Sequence, residues 1–194
     1  MQPIDTSSAN SAGTTENTGM QATSGPQGIG MAVAFDWGLA TQFAVTPFLP
    51  TILGALGILK PTPSIQIPVV IVALIGAAIL AFFGESVRSG RRWARIVQLV
   101  FNSLGFLGGV VSLVIGISSI LHGHLWSLVT IVILAFISPI IAWRLSRPVT
   151  AQWFKTVTAA EARKRHSGAW PWLIFIWSFV GGVLVALSAI LGSR

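Results

Sequence analysis

Long apolar stretches separated by short polar or basic turns occupy residues 38–59, 65–84, 93–121, 125–145 and 171–191. As a helix rising about 1.5 Å per residue, each is long enough to cross a hydrocarbon core about 30 Å thick. The pattern predicts an all-α fold: a polytopic integral membrane helix bundle over residues 35–194 with five transmembrane helices, or four if 38–59 does not span. The first stretch is the most interrupted, by Thr41, Gln42, Thr46, Pro47, Pro50 and Thr51. Each proline removes a backbone donor, so a kinked or broken helix is expected there, with a re-entrant segment as the alternative. The second has Pro68 near its start and Glu85 at its end, and the third is longer than the core requires, which implies tilt. Residues 1–34 are rich in Ser, Thr, Gly, Asn and Gln and hold Asp5 and Glu16 but no Lys or Arg. They are expected to form a retained, disordered polar tail, with neither the apolar surface to offset ordering entropy nor the basic start of a signal peptide.

Composition agrees with a lipid solvent: 53% of residues are hydrophobic and 9% charged, and the mean hydropathy is +0.79. Ten of the twelve Lys and Arg residues fall in two stretches, 88–95 and 144–165. Two helices separate them, so both are expected on one side, and the positive-inside rule assigns that side to the cytoplasm of a multi-pass cell-membrane protein. With five spans the N-terminal tail is cytoplasmic too; with four it lies outside. Because the basic residues flank apolar runs, their expected partner is anionic lipid at the cytoplasmic face, not nucleic acid. Cysteine is absent, which excludes disulfides, thiol nucleophiles and Cys-ligated metals.

Tryptophan traces the expected interfaces, with Trp93, Trp143, Trp153, Trp170 and Trp172 at the inner boundary and Trp126 at the outer. Within the long inner loop Val149, Trp153, Val157 and Ala160 recur at helical spacing beside charged Lys155, Arg163, Lys164 and Arg165, which predicts an interfacial helix near 149–166. Small residues recur every fourth position in three spans: Gly105 and Gly109, with Gly108, Ser112 and Gly116; Ala73, Ala77 and Ala81; Ser178, Gly182 and Ala186. Such stripes let helix backbones approach closely, within this bundle or against a second copy or membrane partner.

Chemistry is sparse. No catalytic, cofactor-binding or metal-ligating set is predicted: no triad, metal cluster or phosphate loop is present, and no ionisable residue is placed deep in a span. His122 and His124 share a tight outer turn without a third ligand nearby. Gln98 and Asn102 form a small polar face on the third span, expected to bond another helix. Glu85 is close enough to Arg88 to pair at the membrane edge, and Asp36 is read as the water-exposed start of the first span.

The run Gly90-Arg91-Arg92-Trp93-Ala94-Arg95, followed by Pro148 and the pair Trp153-Phe154, resembles a loose group of uncharacterised small bacterial membrane proteins. In that group a Gly-Arg-x-Trp-Ala turn joins the second and third helices and a Trp-Phe pair follows the fourth. The resemblance covers about residues 38–154 and implies four spans with a cytoplasmic N-terminus, which supports counting 38–59 as a span. The polar tail and the last helix depart from it, and it implies no activity. The expected role is a non-enzymatic packing, scaffold or accessory subunit, as a homo-oligomer or in a membrane complex; a small transporter or channel component is the alternative.

Overall fold

A computed structural model describes residues 26, 28–60, 65–121 and 127–191. The expected polar tail up to residue 25, the His122–His124 turn and Trp126 lie outside them. The fold is all-α, with no strand among the described residues.

Helix α1 (Ile29–Val45) starts nine residues before the expected span at 38, after Gly28 at φ 115°. Residues 29–34, assigned to the polar tail from sequence, are therefore helical. Ile29, Ala32, Val33, Asp36 and Ala40 share its buried stripe, so the apolar residues before Asp36 belong to the same packed face as those after it. The 38–59 stretch is correspondingly not one span. It breaks at Thr46–Phe48, beside Pro47, and resumes as the seven-residue helix α2 (Leu49–Ala55), which holds Pro50 in its first turn, where a missing N–H is tolerated.

Helices α3 (Ile67–Arg88), α4 (Arg92–Leu121) and a C-terminal rod, Trp170–Leu191, are long and apolar enough to cross a membrane. Each exposes large apolar side chains along its outer side, such as Val72, Phe101 and Trp177. Three segments form a continuous helical run between them: α5 (Ser127–Val132), a π turn (Ile133–Ile137) and α6 (Ser138–Ser146). Pro139 accounts for the π turn. It cannot donate to Ala135, and the backbone widens so that the Ser138 N–H reaches back to Ile133 O.

One interfacial helix was expected near 149–166, and the segment instead forms two short helices, α7 (Pro148–Thr156) and α8 (Ala159–Arg165). Val157 and Thr158 between them are extended, and Thr158 with Glu161 closes a reciprocal capping box that starts α8. The last rod is then α9 (Trp170–Leu191).

Close approaches at glycine fix the directions of the rods. Gly30 faces Trp170 and Ile174, and Gly38 faces Ser178 and Gly182, so α1 and α9 run parallel. Phe43 lies against Gly76 and Trp37 against Gly84, so α3 runs antiparallel to α1. Gly105 faces Ser138 and Gly109 the backbone of Leu134 and Ala135, so α4 is antiparallel to α5–α6. The starts of α1, α4 and α9 therefore gather at one end of the bundle with the ends of α3 and α6. The apolar core concentrates there too, where Phe154 of α7 is buried with Val87, Ala94, Ile141, Leu145 and Ile29.

Candidate buried polar site and its basic cap

Asp36 sits about two turns into α1, on the face turned into the bundle, and is only 2% exposed. It is not a water-exposed helix start, as the sequence suggested. Gly84 on α3 permits this placement: a Cβ there would come within 2.7 Å of Trp37 Cδ1 and 3.1 Å of Asp36 Cβ. The Gln98 side-chain amide donates to Asp36 Oδ1 at 2.9 Å, tying α1 to α4 across 62 residues of chain. One turn on, Asn102 donates to Gln98 O at 2.8 Å. Gln98 and Asn102 are each 1% exposed. Their expected role of bonding another helix is met by Gln98, whose partner is the carboxylate.

Two acceptors in this cluster, Asp36 Oδ2 and Asn102 Oδ1, are buried without a hydrogen-bond partner. A buried acceptor left unmade costs about 1–3 kcal/mol, and a carboxylate more. Glu85 forms the ion pairs found among the described residues, so no Lys, Arg or His is paired with Asp36. Those residues also hold no group of three His, Cys, Asp or Glu able to bind a metal. The arrangement offers two uncommitted oxygens and one amide donor, and no nucleophile is placed beside a base in it.

The two basic stretches meet at the near end of the bundle. The Arg92 guanidinium donates to Lys155 O, Arg95 Nε to Leu145 O at 2.9 Å, and Arg163 Nε to Ser89 Oγ at 3.3 Å. Glu85 pairs with Arg88 at 3.2 Å, as its position suggested, and also with Arg163 at 3.4 Å. Gly90 (φ +72°) ends α3 in a Schellman-type turn, with the Arg91 N–H reaching Ser86 O, and lies directly under Val157. His166 stacks on Trp170 with ring centres 4.5 Å apart and places Nδ1 3.3 Å from Arg88 O. Burial pulls this imidazole below its ordinary value; the bond to Arg88 O opposes the shift, and the charges of Arg88 and Arg165 add to it. Glu161 is also held low, first by the Thr158 backbone N–H of the capping box.

The aromatic residues assigned to the inner boundary divide into two sets. Trp153 and Trp170 pack within the cap, while Trp93, Trp143 and Trp172 are exposed, Trp143 beneath the Arg147 guanidinium at 4.0 Å. The small-residue stripes of α4 and α9 are occupied inside the chain, at Gly105, Gly109 and Gly182.

These features define a helical bundle with membrane-compatible rods, a buried carboxylate and a basic cap. No protein-family model, curated protein or solved structure matches the chain.

Proposed function

We propose that this is a multi-pass cell-membrane protein crossing the bilayer five times, with the cap and the N-terminal tail in the cytoplasm, and that it serves as a small transport component without enzymatic chemistry. The observation that carries the proposal is Asp36, a carboxylate enclosed between helices and bonded to Gln98. Ionisable groups inside spans are costly and cluster at ion and proton pathways. A proline-broken first rod and a π turn in the same bundle agree with this role, because irregular helices in membranes line binding sites. The gathering of basic residues at one end supports the cytoplasmic orientation and anionic lipid as the cap's partner.

Purified protein in liposomes tests the transport role. Osmotic swelling with small neutral solutes and ion currents under a potential should exceed both protein-free vesicles and the Gln98→Leu/Asn102→Leu double variant. Equal rates in all three would refute it.

A packing or accessory role is favoured by a different feature. The Ala77 and Ala81 side of α3 borders an open notch of about 400 Å³ against Ala40 and Ala44 of α1, its alanines flanked by Trp37 and Phe175. Crosslinking and native-detergent sizing that find only a monomer would remove that role.

A further inference from the structure

We propose that Asp36 is a proton-binding site, its carboxyl group carrying an exchangeable proton on Oδ2. The inference rests on the membrane-embedded reading of α1 given above and adds the species that the site binds.

An ionised carboxylate offers about four acceptor positions, and Asp36 receives one N–H, from Gln98. Its Oδ2, like Asn102 Oδ1 one turn beyond Gln98, is a buried acceptor without a donor. A proton on Oδ2 removes the buried charge and turns one of these uncommitted acceptors into a donor.

No charged side chain serves instead. Asp36 is the one ionisable residue of α1, and α9 contains none. On α3 the nearest are Glu85 and Arg88, which pair with each other. On α4, Arg95 is turned to Leu145 O, and on α6, Arg144 lies against Gly28 at the start of α1. An alkali cation fits the site poorly, since a hard cation stripped of water takes about six oxygens and only two are uncommitted here. Asp36 lies about 10 Å along α1 from Ile29 and about 14 Å from Val45, so the basic end is the nearer one. Uptake forms an O–H bond with a proton from water and release returns it; nothing is oxidised or reduced.

Infrared spectroscopy of the full chain in lipid vesicles tests this. At neutral pH the wild-type protein should show a protonated-carboxyl C=O band that shifts in D₂O and is lost in Asp36→Asn. The variant keeps an acceptor for Gln98 and adds N–H donors where the proton would be, so its thermal midpoint in detergent should match the wild type. Absence of the band, with Asp36 contributing only carboxylate signal, would overturn the proposal. A signal that follows sodium or potassium concentration and not pH would overturn it in favour of an alkali cation. A carboxyl band without liposome flux would leave the proton site standing and refute transport; flux without the band would do the reverse.

Discussion

Adjacent glycines on α9 give opposite expectations for the same substitution. A Cβ on Gly182 would fall on Gly38 O and lie 2.8 Å from Thr41 Cβ and 3.0 Å from Gln42 N. Carbon contacts are ordinarily about 3.5–4.0 Å, so α9 would have to back away from α1 by roughly 1 Å, and a gap of that size forfeits up to about half of each affected contact. Overpacking of this kind costs about 1–3 kcal/mol, here toward the upper end because two of the obstructing atoms are backbone. Replacing a helical Gly by Ala returns about 0.5–1 kcal/mol. Gly182→Ala should therefore destabilise the bundle by about 2 kcal/mol, roughly thirtyfold in the folding equilibrium. At Gly181 a Cβ meets nothing within 4 Å, so Gly181→Ala should be neutral or stabilising. Reversible unfolding in mixed micelles, followed by tryptophan fluorescence, measures both. Equal effects, or a larger loss at Gly181, would refute the α1–α9 seam.

The same contrast is expected on α4: Gly109→Ala, whose Cβ would lie 2.6 Å from Leu134 C and Ala135 N, should lower the unfolding midpoint, and Gly108→Ala, with nothing within 4 Å, should not. Gly90→Ala should cost about 1–2 kcal/mol for its left-handed backbone, plus a clash with Val157 Cγ1 at 2.6 Å. Adding Val157→Ala should recover the clash and leave the backbone part, as read by melting in detergent. Because His166 has a depressed folded value, the neutral form is favoured by folding; its contribution is present above its ordinary value of 6.5 and lost as pH falls below it. Protection of the α8 amides, taken relative to their intrinsic exchange rate at each pH, should fall on that acidification, and His166→Phe should flatten the response.

Uninterrupted apolar runs made α3, α4 and α9 legible from sequence nearly to their ends, because each is a single helix whose length and flanks are local properties. The first rod was not. Asp36 looked like a boundary because a lone carboxylate is cheapest in water, and its hydrogen-bond partner Gln98 lies 62 residues away, beyond any local pattern. Ile29, Ala32 and Val33 were the available signal, since with Asp36 and Ala40 they fall on one helical face. Gln98 and Asn102 stood out as a polar pair on an apolar helix, so half of the site was visible. In the cap, helical spacing through Val149, Trp153 and Val157 concealed the break that Thr158 and Glu161 announce locally. The docking of that cap through Arg92, Arg95 and Arg163 depends on tertiary contacts that spacing does not encode.

Because the chain lacks cysteine, single introduced thiols can map its topology without background. Membrane-impermeant maleimide labelling of Ser24→Cys, Lys60→Cys and Lys164→Cys tests most directly whether α1 crosses the membrane and so places Asp36 inside it. The thiols at 24 and 164 should react only from the cytoplasmic face and the thiol at 60 only from the opposite one. Labelling of positions 24 and 60 from the same outer face would contradict it.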